Sequence, residues 1–335
     1  MTELSFTHSD PGILPTSSRL TAADQWDHFL ARVGFRRSEH RVEPGLYALN
    51  VPTPESPVFV TANYTLSFDA LRAALAGMDA YILVLDTKGI NVWCAAGKGT
   101  FGTDEIVQRV HATGLNEVVH HRRLILPQLG APGVAAHEVK KRSGFLVEYG
   151  PVRAKDLPEY LESHQATSEM RRVRFTLRDR LVLTPVELNG ALLPTVAVAV
   201  ALYFVGGLAA SLAVLTTVLA GTVLFPLLLP WIPTPNFSTK GFLLGGLAAL
   251  PFALFAFLRH PDLAWWQRTM EALPFLLVMP AVTAFLALNF TGATTFTSRS
   301  GVRQEIYAYI PAMAWTIGSG ILLGIVSIFT HRLGA

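Results

Sequence analysis

The sequence predicts two units in series: an α/β domain on a Rossmann-like, doubly wound sheet, then an all-α transmembrane bundle of about five helices. Three observations lead there. Strand and helix signals alternate between residues 58 and 160. Beyond Leu188 the chain turns into long apolar runs. Across its 335 residues it is 51% hydrophobic and only 15% charged, too apolar for a soluble domain alone. The expected division is a lead-in over 1–57, the α/β domain over 58–165, a basic juxtamembrane segment over 166–187 and the transmembrane domain over 188–335.

The α/β elements come in order. Val58 to Thr61 reads as a strand and Phe68 to Met78 as a helix, with Leu71, Leu75 and Met78 on one face. Tyr81 to Leu85 is an unbroken apolar strand of the kind buried on both faces. Thr103 to Val110 reads as a helix, with Thr103 as its N-cap and Asp104 and Glu105 at its positive end. Val118 to Leu126 is a strand, Val134 to Arg142 a helix closed by Gly144, Phe145 to Val147 a strand and Asp156 to Ser163 a helix. In such sheets ligands bind beyond the carboxyl ends of the strands, here the loops 61–67, 87–102 and 127–133. The lead-in carries no sharp motif, and the polar start with Pro11 and Pro15 does not read as a signal peptide.

Five membrane spans are expected, at Leu192–Val205, Leu208–Leu229, Gly241–Leu258, Leu273–Phe290 and Ile306–Phe329, each near the ~20 residues a crossing needs. Gly206-Gly207 is the expected turn between the first two. Arg171, Arg172, Arg174, Arg178 and Arg180 precede the first span, and the positive-inside bias keeps them, and the α/β domain with them, on the cytoplasmic side. No carboxylate stands out within the spans, which argues against ion-coupled transport. A net charge of +3 does not argue for nucleic acid, and one cysteine excludes a disulfide framework or an iron–sulfur cluster held by this chain alone.

Several motifs compete. Gly97-Lys98-Gly99-Thr100-Phe101-Gly102 fits the dinucleotide pattern G-x-G-x-x-G, with Glu117 at the distance of a ribose contact, and supports a nicotinamide-binding membrane module as an alternative. A phosphate-binding G-x-x-x-x-G-K-[ST] loop fails because Gly99 follows Lys98. His137-Glu138 opens a zinc-protease string, but Lys141 stands where the second ligand belongs. His120 and His121 fall in the expected strand, where neighbours face opposite ways. The single cysteine, Cys94, precedes Ala95, Ala96 and Gly97, small residues that let a flat ligand approach. If 91–98 forms a helical turn, its dipole and Lys98 favour a thiolate, a soft ligand for a transition metal. One cysteine cannot hold a metal by itself, so the metal would arrive in a macrocycle; the competing reading is a buried structural thiol.

The run Asp86 to Thr103, which contains Asn91-Val92-Trp93-Cys94-Ala95-Ala96-Gly97-Lys98, resembles the corrinoid-binding domain of the corrinoid iron–sulfur protein of acetyl-CoA synthesis. So do Thr61-Ala62-Asn63-Tyr64-Thr65, Leu129 to Val134 and Tyr149 to Arg153. The chain departs from that protein in lacking the cluster-binding cysteines and in ending with a membrane bundle. In that combination it resembles the corrinoid protein of bacterial mercury methylation, the HgcA family.

The resemblance implies a corrinoid (cobalamin-type) cofactor over 58–165, with Cys94 as the lower axial ligand to cobalt. It implies that Asn91, Val92, Trp93, Ala95, Ala96 and Gly97 shape the cap beneath the ring. Thr61, Asn63 and Thr65, with Pro127, Gly130, Ala131, Pro132 and Gly133, would be the loops that hold the cofactor's side chains and tail. The implied activity is a corrinoid-dependent methyltransferase of one-carbon metabolism, carrying a methyl group from a methyl-folate donor through cobalt to Hg(II) and forming methylmercury. The implied partners are a ferredoxin-like iron–sulfur protein, as electron donor and Hg(II) carrier, and a methyl-folate methyltransferase. A methyl carrier for a different acceptor is the alternative of the same kind. The chain would sit in the cytoplasmic membrane with the corrinoid domain in the cytoplasm.

Overall fold

In the computed structural model the described residues are 12–37, 39–294 and 296–333. The reading of a leaderless N-terminus lies largely on residues 1–11, outside them. By its contacts the chain divides into one unit within Met1–Ala31 and Phe35–Val173 and another within Arg32–Gly34 and Arg174–Ala335.

The first unit is an α/β domain. Its strands are β1 (Ile13–Thr16), β2 (Gly45–Leu49), β3 (Val58–Ala62), β4 (Ala80–Leu85), β5 (Arg123–Leu126) and β6 (Leu146–Tyr149), in the spatial order β1-β2-β4-β3-β5-β6. Its helices are α1 (Ala22–Val33), α2 (Thr65–Ala74), α3 (Val92–Lys98), α4 (Thr103–Ala112), α5 (Leu115–Val118), α6 (Ala136–Ser143) and α7 (Leu157–Ser163). Alternation at period two sends Val58, Val60, Ala62, Leu83 and Leu85 to one face, against Phe101, Ile106, Val110 and Val139. Phe59, Ile82 and Val84 go to the other, against Phe68, Leu71, Leu75, Leu157 and Tyr160. Helices therefore cover both faces, and β4 is buried along its whole length, as its unbroken apolar run requires.

The structure departs from the sequence reading in four places. The segment expected as a lead-in supplies β1, α1 and β2, which extend the sheet by two strands. β1 escaped notice because it is short and carries Pro15, tolerated at a sheet edge. The sheet is not wholly parallel: β2 runs antiparallel to β4, while β3 pairs parallel with β4 and β5, and β5 with β6. The N-cap of α4 is Gly102; the Thr103 hydroxyl instead accepts from the Ala135 amide at 2.9 Å. The strand expected over Val118 to Leu126 is only β5, because α5 runs to Val118 and a bend comes next. His120 and His121 lie in that bend, His120 in a surface pair with Glu55 and His121 against the Ser56 carbonyl.

The second unit is helical: α8 (Leu177–Leu181), α9 (Thr184–Leu219), α10 (Phe225–Leu228), α11 (Phe237–Leu258), α12 (Trp265–Asn289) and α13 (Arg299–Leu333). Among the described residues four segments are long and apolar enough to cross a membrane: Leu177–Leu228, Phe237–Leu258, Trp265–Gly292 and Ser300–Phe329. The first is 52 residues long and contains the first expected span and all but the last residue of the second. It breaks at Gly207, whose φ of 71° and ψ of −167° are non-helical, where the turn was expected. α11 and α12 pack through Gly241 and Gly245, where added Cβ atoms would lie 2.4 Å from Ala284 Cα and 2.6 Å from Pro280 Cα. Small residues one turn apart let two helices touch backbone to backbone without a hydrophobic driving force in lipid.

Glu305 lies one residue before the last expected span. Buried near the start of α13, it accepts from the Phe237 and Ser238 amides at 3.1 and 3.0 Å and from the Ser238 hydroxyl at 3.0 Å. It thereby caps the N-terminus of α11, where a negative charge is favoured.

Candidate functional site

β3 and β4 end side by side at Ala62 and Leu85. The segments just past the two strand ends build the site. After β4 the chain turns sharply through Lys88 (φ 58°) and Gly89 (φ 70°). Asn63, immediately beyond β3 and 1% exposed, holds this turn: its Oδ1 accepts from Thr87 N, Thr87 Oγ1 and Gly89 N at 3.1, 2.9 and 3.0 Å. The Asp86 carboxylate accepts from the Lys88 amide at 3.0 Å, and the Asp86 amide donates to Glu105, which pairs with Arg109. The turn is thus fixed before α3 begins.

Asn91 then caps α3, its Oδ1 accepting from the Cys94 amide at 2.9 Å. Helical spacing buries Val92, Ala95 and Ala96 against the core, leaves Trp93 40% exposed and Cys94 half-buried. α3 lies on the 3₁₀ turn Gln128–Gly133 that succeeds β5. Two glycines make this approach possible. A Cβ on Gly133 would lie 2.2 Å from the Phe101 carbonyl oxygen and 3.0 Å from Ala96 Cα, and one on Gly130 would lie 2.5 Å from the Phe101 ring.

The same glycine-rich stretch disposes of the dinucleotide pattern. Gly97 and Lys98 are inside α3, and Gly99 is its left-handed C-cap with φ 85°. The string closes one helix before opening the next. It does not join a strand to a helix N-terminus, as phosphate binding by this pattern needs. Glu117, the expected ribose contact, lies in α5.

A cleft of about 290 Å³ opens at the carboxyl ends of β3 and β5. Thr61, Asn91, Val92, Trp93 and Pro127 line it, joined by Leu66, Ser67, Leu129, Pro151 and Val152. Of the described residues that line it, none is titratable; its polar side chains are those of Thr61, Ser67 and Asn91. Such a cleft suits an uncharged, largely apolar part of a ligand and offers no acid or base of its own. Cys94 is next to two of its walls in sequence without lining it. Among the described residues no group of three or more His, Cys, Asp or Glu could hold a metal. A metal at Cys94 must therefore bring most of its ligands with it.

The other expected site residues fall into distinct places. Asn63 is a buried hub. Thr65 opens α2, its amide donating to the His40 carbonyl at 3.1 Å. Ala95, Ala96, Gly130 and Gly133 pack α3 against the 3₁₀ turn, while Gly97 and Ala131 are half-buried and Pro132 is exposed. Three features given no role from sequence matter here. Thr87 and Gly89 complete the Asn63 hub, and Pro151 and Val152 form a wall of the cleft; the string 149–153 carried the signal for that wall. His40 had no signal. It is 5% exposed, contacting Asp27 at 2.7 Å and the Phe35 carbonyl at 2.6 Å. Burial works against its charged form, but these two acceptors outweigh it and hold its pKa above the ordinary histidine value.

Residues 36–161 match the family described as CO dehydrogenase/acetyl-CoA synthase delta subunit, CdhD. The acetyl-CoA decarbonylase/synthase complex subunit gamma of Archaeoglobus fulgidus is 32% identical over 135 residues, 40% of this chain and 28% of that one. The subunit gamma of Methanopyrus kandleri is 34% identical over 128 residues, 38% of this chain and 27% of that one. The corrinoid/iron-sulfur protein large subunit of Moorella thermoacetica is 26% identical over 153 residues, 43% of this chain and 34% of that one. The chain spans about a third or less of the length of these curated relatives. The match runs from just after α1 into α7, leaving out β1 and α1, and stops short of the apolar helices.

Proposed function

We propose that this chain is a membrane-anchored corrinoid methyltransferase that takes a methyl group from a methyl-folate-derived donor and delivers it to Hg(II). The observation that carries the reading is the capped helix α3, which presents a half-buried Cys94 beside an uncharged cleft at the strand ends. The relationship of residues 36–161 to a corrinoid/iron–sulfur protein supports it. The residues fit a corrinoid: a soft thiol, a cleft without titratable walls, and no competing metal-ligand cluster among the described residues. When bound, the corrinoid supplies the cobalt centre that accepts and releases the methyl group.

The chain's own part is to hold and orient. Cys94 would hold the cobalt through its sulfur. The Asn91 cap and the Asn63–Thr87 hub fix the helix that carries it, and Trp93 with Val92 shields that side of the cleft from water. Thr61, Ser67 and Pro127 would contact the ligand from the β3 and β5 ends. With no charged lining residue, the cleft would leave methyl transfer to the cofactor and substrates. Electrons and soft Hg(II) would come from a ferredoxin-like partner bearing cysteines, on the cytoplasmic face. The long apolar helices would anchor the domain there.

A second reading is a methyl carrier for another acceptor, favoured by the names of the curated relatives, all of which concern acetyl-CoA assemblies or a corrinoid/iron–sulfur protein. One experiment separates them: methylmercury formation from labelled Hg(II) in an anaerobic deletion strain restored with wild type or Cys94→Ala. Product from wild type alone is expected. Normal product without the gene would point to another acceptor, and equal rescue by both forms would remove Cys94 from the mechanism. The visible spectrum of the purified, corrinoid-loaded chain, altered by Cys94→Ala, is the accompanying readout.

A further inference from the structure

α1 is amphipathic the wrong way round for a helix facing water. Its residues Asp24, Asp27 and His28 point into the domain, while Gln25 and Arg32 are exposed. Asp24 pairs with Arg72 at 2.9 Å, His28 with Asp69 at 2.6 Å, and Asp27 with His40 at 2.7 Å. Asp69, Arg72 and His40 are all buried. Its aromatic residues point out: Trp26 is 61% exposed and Phe29 54%, their rings stacked with centroids 5.3 Å apart. Phe35, just beyond the helix, is 51% exposed with the Arg36 guanidinium 5.5 Å from its ring. A helix normally buries its apolar stripe and wets its charged one. Here ion pairs fix the inner face while an aromatic patch is left uncovered, the arrangement that marks a surface meant to meet something other than water.

We propose that the outer face of α1 rests on the lipid surface of a bilayer, with Trp26, Phe29 and Phe35 in the headgroup–acyl boundary. Three features select lipid. Aromatic residues beside arginines are the composition of interfacial helices, and Arg32, Arg36 and Arg37 are all exposed here, while among the described residues of 22–39 one carboxylate is exposed, Glu39, which pairs with Arg36 at 3.4 Å. That charge complements anionic headgroups. The chain also carries four helical segments long enough to cross a membrane, so a bilayer is tethered to this domain. The pairs beneath the patch give it a rigid backing, so docking orders few groups anew. The inference stands whether or not the cleft holds a corrinoid.

The test uses the full chain reconstituted in vesicles of phosphatidylcholine and phosphatidylglycerol. The emission of Trp26 is isolated by subtracting the spectrum of Trp26→Phe, a change that keeps an aromatic ring in place. Lipids brominated near the headgroup end of their chains are expected to reduce that difference by about half or more, and aqueous iodide to reduce it little. Strong quenching by iodide with none by bromolipid would overturn the proposal. A photoreactive phenylalanine analogue in place of Phe29, irradiated in native membranes, gives an independent answer. Adducts to lipid support the proposal; cross-links to a second copy or to another protein overturn it.

Discussion

The Asn63 side-chain oxygen accepts both the amide and the hydroxyl of Thr87, at 3.1 and 2.9 Å, and neither residue is more than 1% exposed. This bond joins the end of β3 to the loop leaving β4. It matters because α3 has only seven residues, too few to hold itself. The position of Cys94 is therefore set from the neighbouring strand, through Asn63, before the helix starts.

Asn63→Ala should then act on α3 from a distance. It leaves the buried Gly89 amide without its acceptor, while the Thr87 amide and hydroxyl each keep one, the Leu85 and Ile90 carbonyls, so a loss on the order of 2 kcal/mol is expected. Thr87→Val removes only a hydroxyl and should cost about 1 kcal/mol. Amide hydrogen exchange at Gly89 and Cys94 is the measurement: Asn63→Ala should speed both, Thr87→Val much less. Unchanged exchange at Cys94 in Asn63→Ala would detach the hub from the helix.

Gly133→Ala should separate α3 from the 3₁₀ turn. The new Cβ would meet backbone atoms of Phe101 and Ala96, which have no side-chain freedom with which to yield. A cost of about 2 kcal/mol or more is expected, with weakened corrinoid uptake if the proposed site is right. Gly45→Ala is the control: nothing lies within 4 Å of its Cβ, so its effect should stay within about 0.5 kcal/mol. Thermal unfolding of the two variants, tracked by a change confined to the α/β unit, makes the comparison.

The parallel part of the sheet and its helices were legible because β3 and β4 are apolar runs that only double-sided burial explains, and because Gly144 marks the end of α6 with a left-handed cap. The Asn91 turn and the break at Gly207 were legible for the same local reasons. The features that stayed hidden depend on pairings distant in sequence. β2 gains its identity only against β4 and β1 only against β2, and α1 hides its meaning because its charges find partners 13 to 48 residues away. Nothing in the sequence singles out Glu305, whose partners at 237 and 238 are 68 and 67 residues away. Among the expected ligand-binding residues, sequence could not separate those lining the cleft, such as Thr61 and Trp93, from those packing beneath it, such as Ala96 and Gly133. Residues of both classes occupy the same loops.

His40 should make the domain sensitive to rising pH. Its two partners, the Asp27 carboxylate and the Phe35 carbonyl, can only accept, so the protonated ring satisfies both. Its pKa is raised above 6.5 despite burial, with Glu39 as a further nearby charge favouring protonation. A raised folded value means the stabilisation is whole below 6.5 and is lost as pH climbs through the folded pKa. His40→Gln cannot titrate there. The stability gap between wild type and His40→Gln should narrow as pH rises from 6.5, and a gap that holds constant would show that the ring does not change charge. Exchange at the Thr65 amide, which donates to the His40 carbonyl, should report the same loosening once intrinsic pH effects are divided out.

In the helical unit, Gly245 and its neighbour Gly246 make a matched pair. A Cβ on Gly245 would lie 2.6 Å from Pro280 Cα and 2.7 Å from Thr283 Cβ, whereas nothing lies within 4 Å of one on Gly246. Both sit mid-helix in α11, so helix propensity and apolar transfer are common to the two. Only interhelical contact differs. Gly245→Leu should force α11 off α12 and lower the temperature at which the detergent-solubilised chain loses its fold, while Gly246→Leu should leave it unchanged or raise it slightly. Close packing, not the depth of either residue in the bilayer, is the cause. If both variants lost stability equally, the α11–α12 seam would not be held together by its glycines, and the cost would have to come from the helix itself.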